Sequence, residues 1–509
     1  MRVLVFHGYL LRGTGSNVYN ANLAPALARL GHDVHLLCQE RAAAELDWVH
    51  SIGRWEDGEL RVEPLREPQG EGRISVYVPD IGGLLPVYVH DEYEGFEVKA
   101  FADLDEAELD RYLDANVAAV RDVIETAGPP DAALANHLVM GPAILARSGL
   151  RFAAKVHGSA LEYTVKPNPR FIPFASEGTT AAAAVLVGSR HTAESLWEAL
   201  PDPDLAAKTR LGPPGVDTDE FAPREPTEAV AAVKRLADAI EAQAGAGELG
   251  RDTGAATEAL RDFASAEGPR VVFIGKLIVS KGVDLLLAAW PLVHAANPDA
   301  RLLLVGFGAY EDGLRRLLAA LDSSDRTDAL EVARLGRALE GGDEAPLSIL
   351  AGFLEDPSDG YWEAAEAAAG SVSWAGRLEH DEVAELLPAA DALVMPSTFP
   401  EAFGMVAVEG AACGALPVSA AHSGMLEAST RIAEALDPEI ARLLSFPVER
   451  DAVEQLAERL LAWLALDSER RREVGRQLAH RVDELWSWER VAEGVIAASG
   501  GRLDELPVP

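Results

Sequence analysis

Two glutamates, Glu401 and Glu409, flank a Phe403-Gly404-Met405 turn that reads as the start of a buried helix. A glycine turn feeding a helix N-terminus exposes unpaired N–H groups, and the helix dipole adds to their pull on an anion. Such a turn suits a phosphate. Glu401 stands just before the helix and Glu409 further into it, so one carboxylate can face a group beyond the phosphates and the other a group beside the helix. Carboxylates accept hydrogen bonds from neighbouring sugar hydroxyls. A nucleotide sugar has hydroxyl pairs at both ends with a diphosphate between, and the spacing fits that ligand. Without the glycine turn, the same two residues would read as ordinary solvated carboxylates.

A second segment, Gly275-Lys276-Leu277-Ile278-Val279-Ser280-Lys281-Gly282, puts two cations between an apolar run and a helical pattern. They are the only lysines after Lys234 in a stretch that otherwise uses arginine. A lone lysine in a loop is usually solvated charge; a pair in one strand–loop–helix turn can neutralise a diphosphate as a sugar–phosphate bond breaks.

These turns need strands and helices to hold them. The chain opens with the apolar run Val3–Phe6, a loop at Gly13–Asn17, a helix over 18–30 that contains Pro25, a glycine stop at Gly31 and a strand at Val34–Leu37. Further strands are expected at Ala132–Leu134, Phe152–Val156 and Ala184–Val187. The same grammar restarts near residue 269, with strands at Val271–Ile274, Arg301–Val305 and Ala392–Met395. Alternating strands and helices predict an α/β fold of two Rossmann-like halves, each a parallel sheet covered by helices. The expected divisions are 1–215, an acidic Ala-rich helical linker over 216–268, a second half over 269–485 with an acidic, irregular insertion at about 322–370 that carries helices but no recognisable chemistry, and a last helix and tail over 486–509. The aromatics Trp55, Tyr77, Tyr88, Tyr93 and Phe96 lie in a segment rich in Gly and Pro; they read first as packing of an extended hairpin, and second as the walls of a small-molecule pocket.

The 509 residues carry a formal net charge of −37 and are 48% hydrophobic. Two or three packed domains are expected, and wholesale disorder is not. The charge argues against nucleic acid and against stable binding to an acidic membrane. No apolar run is long enough for a membrane span, and MRVLVFHGYLLRGTGS reads as a buried strand and loop rather than a signal peptide. Cys38 and Cys413 imply neither a disulfide framework nor a zinc site, and a cytoplasmic location is the natural expectation.

Together these segments resemble the retaining glycosyltransferases of family four (glycosyl transferases group 1). The motif PSTFPEAFGMVAVEGAACG around Glu401 and Glu409 is the most specific piece. HGYLLRGTGSNVY, VHGS at 156–159, VGSRHTAESL, GPPGVDTDEF, GKLIVSKGVDLLLAAW, VGFGAYEDGL and WAGRL support it, and Trp486-Ser487-Trp488-Glu489 resembles the family's last helix. The resemblance implies a GT-B fold, two Rossmann-like domains facing each other across a cleft, with the last helix crossing back to the N-terminal domain. It implies transfer of a hexosyl unit from a UDP-, GDP- or ADP-sugar to a sugar or small-molecule acceptor, with no obligatory metal or other cofactor. Glu401 would hold the donor sugar, Glu409 the ribose, and Lys276 and Lys281 the diphosphate. Phe403, Gly404 and Met405 would offer backbone N–H groups. Arg377 and Leu378 would border the base, His157 the reacting sugar, and Gly13 and Gly15 would line the N-terminal side. Catalysis would rest on His157, Glu401 and Lys281. The family usually has Arg where this chain has Lys276, and the two cations are not equivalent at a phosphate.

Rival readings remain open at this level. Gly13-Thr14-Gly15-Ser16-Asn17-Val18 begins like a dinucleotide fingerprint, with Glu40 as the ribose acid, but Val18 stands where a third glycine belongs. Asp103-Leu104-Asp105 and Asp217-Thr218-Asp219 look like metal-binding Asp-x-Asp pairs and read better as structural. His7, His32 and His157 have no metal spacing. A nucleotide-sugar hydrolase or epimerase, or an inert nucleotide-binding module, fits the same fold. The nucleobase, the acceptor, the linkage and the oligomeric state are not written in the residues.

Overall fold

The computed structural model describes residues 1–12, 15–88, 95–242 and 251–509. The chain forms two compact units. The first comprises Met1–Gly215 and Trp486–Pro509, the second Val216–Leu485.

The first unit is built on nine strands among the described residues: β1 (Arg2–Phe6), β2 (Asp33–Leu37), β3 (Ser51–Glu56), β4 (Glu59–Pro64), β5 (Arg73–Val78), β8 (Ala132–Asn136), β9 (Ala153–Lys155), β10 (Ala184–Val187) and β11 (Thr209–Leu211). A separate parallel pair, β6 (Leu84–Val87) and β7 (Glu97–Ala100), lies apart from it. The sheet order is β11-β10-β9-β8-β1-β2-β5-β3-β4, parallel except for the β3–β4 hairpin. That hairpin turns on Asp57 and Gly58, both at positive φ (52° and 82°), as a tight hairpin turn demands. So the segment expected as an extended hairpin is one only in part. β5, a β-branched run between Gly72 and Pro79, inserts between β2 and β3, a place no local pattern reveals. Tyr93 lies outside the described residues.

The second unit has a wholly parallel sheet in the order β14-β13-β12-β15-β16-β17, from β12 (Arg270–Ile274), β13 (Arg301–Val305), β14 (Val372–Gly376), β15 (Ala392–Met395), β16 (Leu416–Ala420) and β17 (Ser445–Phe446). Helices bury both faces, so β12, β13, β15 and β16 are near-continuous apolar runs.

One expectation is corrected. Residues 226–242 and 253–265 are not a linker. Helices Pro226–Ala242 and Thr253–Ser265 pack on each other, on β14 and on the helix His380–Leu386, within the second unit. The reason is an apolar stripe at helical spacing, Ala229, Ala232, Val233, Leu236 and Ile240 facing Ala256, Leu260 and Phe263, beneath an acidic outer face. The segment 322–370, expected to carry helices, holds Arg326–Leu335, Ser348–Glu355 and Tyr361–Ala367, and Tyr361 donates a hydrogen bond to the Ala288 carbonyl at 2.9 Å. Among the described residues no helix is long and apolar enough to cross a membrane.

The last helix, Trp488–Ser499, completes the core of the first unit, burying Trp488, Ala492, Val495 and Ala498 against the Gly15–Arg29 helix and β8. The Trp488 ring meets Tyr19 edge-on at 5.4 Å, and a Cβ on Gly215 would come within 2.7 Å of it. Trp488→Ala is therefore expected to destabilise the first unit by about 3–5 kcal/mol. Calorimetry of the full chain reads this; an unchanged unfolding profile would mean the helix only decorates the surface.

Candidate functional site

In an open parallel sheet, ligands collect at the carboxyl ends of the strands where the strand order reverses. In the second unit that point lies between β12 and β15, since β13 and β14 follow on one side and β16 and β17 on the other. The loop after β12 carries Lys276 and Lys281, and the loop after β15 carries Glu401. Glycine lets the two loops touch. Gly282, at φ 64°, sits where a Cβ would lie 2.1 Å from the Pro396 carbonyl oxygen, and the Thr398 N–H donates to Ser280 O at 2.9 Å. Lys281 Nζ is brought into an ion pair with Glu401 Oε1, and Ser397 Oγ donates to the same oxygen at 2.9 Å. The two charged side chains are 22% and 24% exposed. Water is thus partly excluded from the pair while an approach for a ligand remains. Lys276, on the same loop, is exposed.

The Glu401 loop is gripped from the turn after β16. The Glu401 N–H donates to Ser423 Oγ at 2.9 Å, and the Gly424 N–H to Glu401 O at 3.0 Å. A Cβ on Gly424 would lie 2.3 Å from Ala402 O, so only glycine fits there. A His422 ring nitrogen bonds the Ser397 carbonyl at 2.8 Å. Gly404, at φ 91°, then caps the helix Met405–Ala412, whose first N–H groups have no intrahelical partner. Phe403 is buried and Met405 half-buried beside it.

Glu409 is 4% exposed and lies 3.0 Å from the His380 ring nitrogen Nε2. Burial of His380 disfavours its charged form. The hydrogen bond and charge of Glu409, with Glu220 and Asp381, outweigh that and raise its pKa above the ordinary 6.5. Arg377 and Leu378 follow β14; Arg377 pairs with Glu379 at 2.9 Å and its guanidinium lies 5.6 Å from the Phe307 ring centre.

Several residues that hold this site escape sequence reasoning. Arg251, 2% exposed, binds Glu382 in a two-pronged ion pair (2.7 and 3.1 Å) and donates to the Arg377 carbonyl at 3.0 Å. Glu340, in the segment expected to be a bystander, accepts the Val279 N–H at 2.8 Å and so holds the turn that bears Lys281. His380 stands two residues beyond WAGRL (374–378), and that nearness was its only signal.

His157 and Gly15 belong to the first unit, and Gly13 lies outside the described residues. Gly15 begins the Gly15–Arg29 helix and is exposed. The first unit's own switch point lies between β1 and β8. There a polar chain runs from His7 through Asn20 and Asn136 to His157, with contacts of 3.0, 2.8 and 2.9 Å. His137 packs among the rings of His7, Tyr9, Tyr88 and His157. Burial lowers the pKa of His7 to about 4 and those of His137 and His157 well below 6.5. Burial also lowers the pKa of Lys155 to about 7. The three rings are therefore neutral at physiological pH, able to hydrogen-bond but not to carry charge.

The rival motifs find structural employment. Glu40 accepts the N–H groups of Leu11 and Ala42, both at 3.2 Å, which spends the carboxylate a dinucleotide ribose would need. Asp105 forms a capping box with Glu108 at the start of the Glu106–Ala127 helix. Asp217 accepts the N–H groups of Asp219 and Glu220 at 3.1 and 3.2 Å.

Residues 361–479 match a family model described as Glycosyl transferases group 1, and residues 268–341 match a second model of that description. The first match begins inside the expected insertion, so its final helix belongs to the shared pattern. A GDP-mannose-dependent monoacylated alpha-(1-6)-phosphatidylinositol monomannoside mannosyltransferase of Corynebacterium glutamicum is 30% identical over 231 residues, 44% of this chain and 45% of that protein. A D-inositol 3-phosphate glycosyltransferase of Geodermatophilus obscurus is 28% identical over 363 residues, 69% of this chain and 60% of that protein. The chain thus spans about half the length of the curated relatives it matches. Among solved structures, sucrose-phosphate synthase from Thermosynechococcus elongatus superposes with a TM-score of 0.54 at 18% identity, covering 99% of this chain and 98% of that one. Anabaena HepE in complex with UDP and glucose gives 0.56 at 14% identity, covering 99% and 100%. The fold is α/β with parallel sheets in two domains, that of GT-B structures.

Two outcomes test the site's construction. Arg251→Ala leaves the half-buried Glu382 carboxylate without its cation, with an expected cost of about 3 kcal/mol, and a paired Arg251→Met, Glu382→Leu change recovers part of it. Denaturant unfolding decides; equal stability of single and paired variants would remove Arg251 as a clamp. Because folding raises the His380 pKa, its pair with Glu409 contributes fully below pH 6.5 and fades as pH rises through the raised value. The Tm gap between wild type and His380→Gln should be largest below pH 6.5 and close above it; a gap flat with pH contradicts the pairing.

Proposed function

We propose that the chain is a cytoplasmic glycosyltransferase. It moves a hexosyl unit from a nucleoside-diphosphate sugar to a sugar or small-molecule acceptor, retains the anomeric configuration and needs no metal. The observation that carries this reading is the contact between Lys281 and Glu401 at the strand-order reversal of the second unit, beside the Gly404-capped helix. A cation for phosphate, a carboxylate for sugar hydroxyls and a helix N-terminus meet there. The matched group 1 models and the relatives named for glycosyl transfer support it.

Each residue then has a task. Glu401 accepts hydrogen bonds from the donor hexose, and Glu409 from the ribose hydroxyls beside His380. Lys281 and Lys276 neutralise the diphosphate, aided by backbone N–H groups of Phe403, Gly404 and Met405. Arg377 and Leu378 border the base. His157, kept neutral by burial, offers a hydrogen bond to the reacting sugar, and Gly13 and Gly15 line the first unit's side. The C1–O bond to the diphosphate breaks as the acceptor oxygen bonds C1 from the same face. The acceptor's proton passes to an oxygen of the departing phosphate. The reaction needs no enzymic nucleophile, and the task of Glu401 is to hold the donor hexose. The relatives' names include GDP-mannose and the structural neighbours hold UDP or ADP, so the base stays open among these.

A thermal-shift series with UDP, GDP and ADP, with and without EDTA, tests the reading. One nucleotide should raise Tm, and EDTA should leave the shift in place. Glu409→Ala should weaken that nucleotide ten- to a hundredfold, at about 1.5–3 kcal/mol per lost charge-assisted bond. Lys281→Ala should lower kcat by about 10²–10³, as for loss of a group that stabilises transition-state charge. Stabilisation by NAD(H) and by no nucleoside diphosphate would overturn the assignment.

A further inference from the structure

A cavity of about 340 Å³ opens in the first unit at the carboxyl ends of β2, β3 and β5, lined by Gln39, Arg41, Arg54, Trp55, Asp80 and Phe96 with their neighbours. It adjoins the unit's switch point, since the Gln39 N–H donates to the carbonyl of Tyr9, just beyond β1, at 2.7 Å. Its volume suits a monosaccharide-sized ligand.

Its described lining carries two arginines and one carboxylate, in a protein whose net charge is −37. Among the described residues neither Arg41 nor Arg54 forms an ion pair, and both side chains are open to solvent. Arg41 lies 4.0 Å over the Phe96 ring, and a Cβ on Gly95 would come within 2.5 Å of its Nη1. Arg54 Nη2 donates to the Arg41 carbonyl at 3.3 Å. Among the described lining residues the one carboxylate, Asp80, turns an oxygen to the Gly82 N–H at 2.9 Å.

The aromatic and amide walls are fixed. The Trp55 indole N–H donates to Asp122 at 2.7 Å, which pins the ring. Gln39, 3% exposed, donates to Pro79 O at 3.0 Å. Guanidinium forks match an oxyanion, and ordered aromatic faces suit the apolar faces of a sugar ring. Two separate guanidiniums are better satisfied by a phosphate, with its several oxygens, than by a single carboxylate.

The geometry points to this cavity as the acceptor subsite, and to an acceptor that is a sugar or polyol bearing a phosphate group held by Arg41 and Arg54. The inference rests on the glycosyltransferase reading. It also answers a difficulty: an acidic surface repels a phosphorylated acceptor unless a local cationic pocket receives it. The phosphate can belong to a free sugar phosphate or to a phosphoinositol headgroup in a lipid, and the test separates the two.

Isothermal titration of the full chain compares glucose 6-phosphate with glucose. A parallel co-sedimentation compares phosphatidylcholine vesicles with and without phosphatidylinositol. The phosphorylated probe of at least one pair should bind about tenfold more tightly than its neutral counterpart, and Arg41→Gln with Arg54→Gln should remove that advantage. A preference for glucose 6-phosphate marks a soluble acceptor, one for phosphatidylinositol a lipid-linked acceptor. The nucleotide-induced Tm shift of the double variant, expected to equal wild type, certifies its fold. If neither phosphorylated probe is preferred, or the double variant keeps the preference, the acceptor assignment falls while an intact nucleotide shift leaves the transferase reading standing. Loss of the nucleotide shift in wild type would sink that reading instead.

Discussion

The contact between Lys281 and Glu401 depends on backbone approaches that any side chain would block. Gly282 against Pro396 and Gly424 against Ala402 each leave no room for a Cβ. These close approaches turn two loops from neighbouring strands into one surface. They also settle how the unliganded site manages its charge. A partly buried cation or carboxylate without a partner is costly, so the two neutralise each other. A donor that brings both an anion and hydroxyl groups can take over both halves of the pair at once. Neither charge is then left uncompensated, and neither side chain needs to travel far. That is the electrostatic preorganisation a transferase requires.

The protein's overall acidity makes local charge decisive. A negative surface discourages anions everywhere, so an anionic ligand is admitted only where fixed cations and helix N-termini gather. The second unit gathers Lys276, Lys281 and the Gly404 cap. The first unit does the opposite at its switch point, where burial holds three histidines neutral and lowers the Lys155 pKa to about 7. The polar groups there offer hydrogen bonds without charge, which suits an uncharged sugar hydroxyl better than a phosphate.

Much of this was legible in the residues because it is local. β1, β2, β8, β12, β13 and β15 announce themselves as apolar runs ended by glycine or turn residues, and the turn through Glu401, Gly404 and Glu409 carries its chemistry within one strand–loop–helix unit. What was not legible is long-range. Arg251 meets the Arg377 carbonyl across 126 positions, and Glu340 meets Val279 across 61. No spacing rule reaches that far. β5 joins its sheet out of sequence order for the same reason. Residues 226–242 and 253–265 are a different failure, since their alanine-rich, acidic composition suggested a spacer while their apolar stripe at helical spacing already marked a packed pair.

The residues outside the sequence motifs are therefore not ornaments on a shared core. Arg251 is almost wholly desolvated, and a guanidinium so placed is tolerated only when its partners are fixed. Its partners are Glu382, which caps the His380–Leu386 helix, and the carbonyl of Arg377. The loop after β14 and the helix that begins at His380 are thus anchored by a residue of the acidic segment, ahead of the matched stretches. Glu340, near the end of the matched stretch 268–341, does the same for the Lys281 turn. A loop that must present charges to a ligand cannot bury enough apolar surface to order itself, so its geometry has to be imposed by neighbours. Here those neighbours lie outside the recurring motif. Changes in these segments can therefore tune the site's geometry while every motif residue stays the same.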